Sequence, residues 1–137
     1  MCVLKESKKT LNKAAKILLN GKIVCAMTET VYGLLGNAED SKAIQKIYEI
    51  KQRPVQNPLI VHVNSIAMAK KIAVFTEDAS KLASRFWPGP LTLILKKKKS
   101  NICPAVTANL KTIAIRFADS KIFFDIITKI KKPIAAP

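Results

Sequence analysis

The sequence predicts a single α/β domain, residues 1–137, in which helices flank a mixed, twisted sheet. Segments with the apolar spacing of amphipathic helices alternate along the chain with short apolar runs that are typical of buried strands. The chain has 137 residues, 49% of them hydrophobic, which is enough to bury one core. We find no internal repeat, and only the lysine run at 96–99 has low complexity. A single domain without linkers is therefore expected.

The first half of the chain predicts two helices and two strands, each bounded by capping or turn residues. In order, they are a helix capped by Thr10 and ended by Asn20-Gly21, a strand at 23–27, a helix capped by Asp40 or Ser41 that runs to 51, and a strand at 59–63. The last of these is apolar throughout, as expected of a strand that is buried on both faces.

The second half predicts three helices and three strands. The helices are capped by Ser65, by Thr76 and by Asp119 or Ser120, and the strands lie at 91–95, at 112–116 and from 133 onwards. The lone Trp87 suits either adenine stacking or a core anchor at a turn. The Pro-Gly-Pro sequence that follows it favours the anchor.

Thr28 and Thr30 follow the strand at 23–27, where we expect residues 28–33 to turn into a loop. Small hydroxyl residues at the end of a parallel strand commonly line a ligand crevice. They are equally common as β-branched residues within strands. From the residues alone, the two interpretations are even.

The segment 51–63, with the sequence KQRPVQNPLIVHV, gives the strongest indication of a binding site. Pro54 and Pro58 stiffen a short loop in front of the buried strand. Lys51 and Arg53 lie two residues apart, so in extended backbone both point to one side, where an ammonium and a guanidinium fork suit a polyphosphate. Taken alone, Lys51 fits a solvated surface cation better. Arg53 does not, because it is one of only three arginines in a lysine-rich chain.

The composition excludes several classes of protein. No apolar run is long enough to span a membrane, and the charged first ten residues do not resemble a signal peptide, so we expect a cytoplasmic protein. Three scattered cysteines and one histidine predict neither a disulfide framework nor a protein-only metal site. The net charge of +15 predicts attraction to polyanions such as nucleotides or RNA, although a lysine-rich coding bias explains part of it equally well.

Five motifs together resemble the YrdC-type domain of threonylcarbamoyl-AMP synthases, and the resemblance covers almost the whole chain. They are TETVYGL at 28–34, KQRP at 51–54, NPLIVHV at 57–63, WPGPLT at 87–92 and TIAIR at 112–116. These enzymes join L-threonine, bicarbonate and ATP into threonylcarbamoyl-adenylate and pyrophosphate, for the t6A modification of tRNA. The resemblance thus implies a YrdC-like fold, Mg²⁺ brought with ATP, and downstream t6A-transfer proteins as partners.

The resemblance also implies roles for seven residues. They are Lys51 and Arg53 for the ATP phosphates and the charge on departing pyrophosphate, Asn57 and Thr112 for the nucleotide, and Thr30, His62 and Arg116 for the threonine. Arg116 is the natural fork for the threonine carboxylate. For His62, a hydrogen-bonded core imidazole is a competing interpretation.

The sequence departs from the family at two positions where glycine is usual. Leu35 would be strained by roughly 1 kcal/mol if that glycine has a positive φ angle. Asn109 is a milder change, because asparagine tolerates the left-handed region.

Family members also continue past Pro137 into a Ser-Ala-Asn segment that grips the nucleotide. We therefore expect the last part of the fold to be missing, with an incomplete ATP site and reduced or no synthase activity. One alternative is a basic module that binds double-stranded RNA or tRNA through the lysine run 96–99 without catalysis. The other is a non-functional remnant.

Overall fold

The computed structural model describes residues 5–27 and 31–137. In chain order, its elements are α1 (Lys8–Leu19), β1 (Val24–Met27), β2 (Tyr32–Asn37), α2 (Ser41–Lys51), β3 (Ile60–His62), α3 (Ile66–Ile72), α4 (Glu77–Phe86), β4 (Thr92–Lys96), a 3₁₀ turn (Pro104–Thr107), β5 (Thr112–Arg116), α5 (Lys121–Ile130) and β6 (Ile134–Ala136). No described helix is both long and apolar enough to cross a membrane.

The six strands form one mixed sheet in the order β1-β2-β6-β3-β5-β4. The neighbours β3 and β5 are parallel, and each of the other four pairs of neighbours is antiparallel. This confirms the predicted α/β class with a mixed sheet. The strand predicted from residue 133 onwards is confirmed as β6, which lies between β2 and β3.

Local sequence signals predicted most helix starts correctly. The side chains of Asp40, Ser65, Thr76 and Ser120 each accept a hydrogen bond from a backbone N–H in the first turn of the following helix. Thr10 as the first cap is wrong, because Ser7 caps α1 and accepts from the Thr10 N–H at 3.2 Å.

The predicted loop at 28–33 is wrong in its second half. Tyr32 already begins β2, which pairs antiparallel with β1. β1 is thus an edge strand of an antiparallel pair, not a parallel strand that ends at a crevice. Thr28 and Thr30 lie outside the described residues, so their predicted roles stay predictions.

The backbone conformations at the two departures from the family differ. Leu35 is fully buried within β2 and is absent from the described non-glycine residues with positive φ, so the predicted strain there is wrong. Asn109 has a φ of 60°, which confirms that this position uses the left-handed region.

Different helices pack against the two faces of the sheet. On one face, Val61, Ile113 and Ile115 belong to a core cluster completed by residues of α2, α3 and α4. On the other face, Leu35 and Ile134 belong to a second cluster, completed by α1 and α5. That second cluster contains no residue of β4 or β5, so neither helix covers those strands on this side.

We call the uncovered area the open face. It is formed by residues of three neighbouring strands that share one side by register: Ile60 and His62 of β3, Thr112, Ala114 and Arg116 of β5, and Thr92, Ile94 and Lys96 of β4. Ile94 is 71% exposed here, whereas Ile113 and Ile115 on the opposite side are buried. The open face is therefore accessible to solvent at β4, whereas His62 at its β3 end is buried.

Candidate functional site

The strand register arranges the open face in three rows that cross the strands. The rows are His62, Arg116 and Thr92, then Ile60, Ala114 and Ile94, then Thr112 and Lys96. Successive rows are two residues apart, so the Cα atoms of Thr112 and Arg116 are separated by ~13 Å. The open face thus has a polar row at each end and an apolar row between them.

His62 lies at the inner end of the first row, where α5 covers the sheet. Its ring meets the Phe123 ring edge-on, with 4.8 Å between centroids. Its Nδ1 is buried and has no hydrogen-bond partner within the described residues, so the competing interpretation of a hydrogen-bonded core imidazole does not fit this atom. Burial, with a smaller contribution from the charge of Arg116, lowers the pKa of His62 to about 3. The imidazole is therefore neutral near pH 7, with one donor and one acceptor nitrogen.

Arg116 is the cation of the first row. It lies opposite His62 on one side and opposite Thr92 on the other, and it is half-buried. A guanidinium is a planar fork that matches the two oxygens of a carboxylate. Because the neighbouring imidazole is neutral, this row presents one positive charge and two uncharged polar groups.

The loop between α2 and β3 does not begin as extended backbone. Lys51 is the last residue of α2, and Gln52 adopts the left-handed conformation with a φ of 47°. The prediction that Lys51 and Arg53 point to one side of an extended segment is therefore wrong. Lys51 is exposed at the end of the helix, whereas Arg53 is half-buried.

Arg53 is held by carbonyl groups of its own loop. Its Nε donates to the Asn57 carbonyl at 3.1 Å, and its Nη2 donates to the Pro58 carbonyl at 2.8 Å. These bonds use two of the five N–H donors of the guanidinium. Arg53 thus braces the proline loop and places a fixed positive charge beside Asn57.

Tyr48, a buried residue of α2, completes this brace. Its hydroxyl lies 2.9 Å from the carbonyl oxygens of both Asn57 and Ala105. Burial raises the pKa of Tyr48, against a smaller opposing effect of the Arg53 charge, so the hydroxyl keeps its proton and donates to these carbonyls. One side chain therefore ties α2, the proline loop and the 3₁₀ turn together. The available signal was a hydroxyl on an otherwise apolar helix face, five residues before Arg53.

We expect Tyr48→Phe to lower the free energy of unfolding by ~1 kcal/mol, because the carbonyls of Asn57 and Ala105 lose the hydroxyl donor that they share. Urea unfolding followed by the fluorescence of the single, buried Trp87 measures this change. Tyr32→Phe is the matched control, since Tyr32 is 68% exposed and should change the unfolding free energy by less than ~0.5 kcal/mol. Equal stability of the two variants would contradict the bracing role.

The structure separates the predicted site residues into two groups. The first group is His62 and Arg116, which lie side by side at the carboxyl ends of β3 and β5. The second group is Arg53 and Asn57, which are in contact ahead of β3, together with Thr112, which begins β5. Lys51 is exposed at the end of α2, and Thr30 is outside the described residues. The second group lies at the amino ends of the same two parallel strands. The open face connects the two groups.

The fold and this arrangement define an α/β domain with a mixed sheet, which has a neutral imidazole beside an arginine at one end of the open face and a braced cationic loop at the other. Comparison with known proteins then gives the family. Residues 16–137 match the profile of the Sua5/YciO/YrdC family, which carries the description "Telomere recombination", and the chain belongs to this family.

Several relatives are known by name. Threonylcarbamoyl-AMP synthase of Bacillus subtilis is 46% identical over 126 residues, which cover 91% of this chain and 36% of the relative. The putative threonylcarbamoyl-AMP synthase of Methanocaldococcus jannaschii is 42% identical over 117 residues, 85% of this chain and 55% of the relative.

A solved structure supports the same assignment. Sua5 of Pyrococcus abyssi, complexed with L-threonine, matches with a TM-score of 0.91 and 41% identity, over 98% of this chain and 39% of that one. The predicted family and YrdC-like fold are thus confirmed. The chain spans between 36% and 55% of the length of the two named synthases.

Proposed function

We propose that this chain acts as a threonylcarbamoyl-AMP synthase-like nucleotidyltransferase, which forms threonylcarbamoyl-adenylate from L-threonine, bicarbonate and ATP for t6A modification of tRNA. The observation that carries the proposal is the pair of His62 and Arg116 at one end of the open face. This pair lies on a fold that matches the L-threonine complex of Pyrococcus abyssi Sua5 with a TM-score of 0.91. We place the reaction in the cytoplasm, where tRNA and the t6A-transfer proteins would use its product.

The first row would bind L-threonine. Arg116 would hold the carboxylate with its guanidinium fork. The unpaired Nδ1 of His62 would form a hydrogen bond with a polar group of the amino acid, so that binding gives this buried atom a partner. Thr30 would add a hydroxyl from outside the described residues.

The amino ends of β3 and β5 would bind ATP. Arg53 and Lys51 would supply positive charge for the phosphates, and Asn57 and Thr112 would contact the rest of the nucleotide. A guanidinium fixed by two carbonyls needs no reorganisation when charge develops on the departing pyrophosphate, which is the condition for electrostatic stabilisation of a transition state.

Positioning would supply most of the rate. The amine of threonine and bicarbonate form a carbamate with loss of water. A carbamate oxygen then attacks the α-phosphorus, and the bond from that phosphorus to pyrophosphate breaks. No protein nucleophile takes part. The open face would bind L-threonine in its first row and ATP near its third row, ~13 Å away, so that the reacting atoms of the two substrates meet over the row between them.

Mg²⁺ would arrive with ATP. Within the described residues, no cluster of three or more His, Cys, Asp or Glu side chains could hold a metal ion. This suits an ion held mainly by phosphates and waters, which would neutralise charge on the triphosphate.

Binding of tRNA or double-stranded RNA without catalysis is the second candidate, and exposed lysines favour it. α1 presents Lys9, Lys13 and Lys16 on one side, all exposed. In the lysine run 96–99, two of the four ammonium groups donate to neighbouring segments, Lys97 to the Thr107 hydroxyl and Lys98 to the Lys70 carbonyl. RNA contacts would therefore involve α1 as well as this run.

Three measurements separate the two candidates. The purified chain should release pyrophosphate from ATP with Mg²⁺ only when both L-threonine and bicarbonate are present, and calorimetry should detect binding of L-threonine alone. The absence of both would contradict the synthase proposal. Binding to tRNA that weakens steeply with salt, without nucleotide and without pyrophosphate release, would favour the second candidate.

A further inference from the structure

We propose that Thr92 is a further substrate-contacting residue, whose hydroxyl donates a hydrogen bond to the L-threonine carboxylate held by Arg116. This inference rests on the proposed function and deepens it. Thr92 lies within the WPGPLT motif, of which only Trp87 was considered above as a ligand contact.

Strand register places Thr92 in the first row. In the antiparallel pair of β4 and β5, Thr92 is the direct partner of Arg116. In the parallel pair of β3 and β5, Arg116 is the direct partner of His62. Paired residues on neighbouring strands share a face at ~5 Å spacing, so the three Cα atoms span roughly 10 Å across the sheet. The hydroxyl of Thr92 is thus the polar group on the outer side of Arg116.

Two hydrogen bonds hold the turn that precedes β4, and one of them joins this turn to the end of β5. The Trp87 Nε1 donates to the Leu91 carbonyl at 2.7 Å, immediately before Thr92. The Gly89 N–H donates to the Phe117 carbonyl at 2.9 Å, immediately after Arg116. These bonds and the pairing of β4 with β5 fix the backbone of Thr92 beside Arg116.

The Thr92 side chain is available to a ligand. It is half-buried, and its hydroxyl forms no hydrogen bond with any other described residue. A carboxylate has about four lone-pair sites, and a guanidinium fork uses two of them. A neutral hydroxyl beside the fork can serve a third site without adding a second charge next to Arg116.

The test compares Thr92→Val with Thr92→Ser. Valine keeps the β-branched shape that suits a strand but lacks the hydroxyl, whereas serine keeps the hydroxyl. We expect Thr92→Val to raise the Kd for L-threonine roughly tenfold, measured by calorimetry on the full chain, because a hydrogen bond to a charged group is lost. Thr92→Ser should stay within about threefold of the parent chain, and thermal unfolding without ligand should show both variants folded.

A second ligand tests which group Thr92 contacts. L-Serine carries the same carboxylate as L-threonine, so Thr92→Val should weaken both ligands by the same factor. A changed ratio between the two ligands would overturn the carboxylate contact. Unchanged L-threonine binding in Thr92→Val, together with lost binding in Arg116→Ala, would overturn the inference but leave the proposed function intact. If the parent chain does not bind L-threonine, the proposed function and the inference fail together.

Discussion

Replacement of Arg53 by alanine should reduce ATP binding and pyrophosphate release by roughly 100-fold. The N–H groups of Arg53 that its own loop does not use would give the phosphates about two charge-assisted hydrogen bonds, and losing them corresponds to ~3 kcal/mol. The same substitution removes the donors to the Asn57 and Pro58 carbonyls, so the proline loop also loses a brace. Arg53→Lys should fall between the parent and the alanine variant, because it keeps the charge but not the fork.

Two comparisons separate the phosphate role of Arg53 from general effects. Arg85→Ala removes the same charge from an exposed position on α4, where the guanidinium lies 5.6 Å from the centre of the Phe86 ring. It should leave nucleotide binding unchanged. L-Threonine binding, at the other end of the open face, should survive Arg53→Ala. If Arg53→Ala and Arg85→Ala bind ATP equally well, the phosphate role of Arg53 is wrong.

Local chemistry in the sequence predicted most of the elements. Capping by Asp40, Ser65, Thr76 and Ser120 depends on a side chain and the three residues after it, so a sequence alone contains the signal. The core anchor at Trp87 was predictable for a similar reason, because the Pro-Gly-Pro turn that follows brings the Leu91 carbonyl to its indole N–H.

The parts that could not be predicted depend on long-range pairing. β2 was missed because two of its six residues are glycines, which are uncommon within strands. It pairs with the preceding strand β1, but its other partner, β6, lies almost a hundred residues further along the chain. The position of Thr92 beside Arg116 follows only from the register of β4 on β5, which the sequence does not reveal. The left-handed Gln52 ended the extended backbone assumed for Lys51 and Arg53, and no glycine or asparagine marked it.

The buried imidazole of His62 should make the chain lose stability in mild acid. Its pKa falls from an ordinary 6.5 to about 3 in the folded chain, through burial first and the Arg116 charge second. Between these two values the unfolded chain binds more protons than the folded chain, so the free energy of unfolding must decrease as the pH falls through this range. From pH 7 to pH 5 the expected loss is about 2 kcal/mol, and the loss continues toward pH 3.

This loss can be assigned to one residue because the chain has a single histidine and no other side-chain type titrates ordinarily between pH 5 and 7. Urea unfolding of the parent chain and of His62→Gln, followed by Trp87 fluorescence at pH 7, 6 and 5, measures it. The parent should lose about 2 kcal/mol over this range, while the variant should change by less than ~0.5 kcal/mol. Parallel curves for the two chains would mean that the imidazole protonates freely in the folded state. His62 would then be too well solvated to serve as the neutral partner of Arg116. The first row of the open face would carry two positive charges in mild acid.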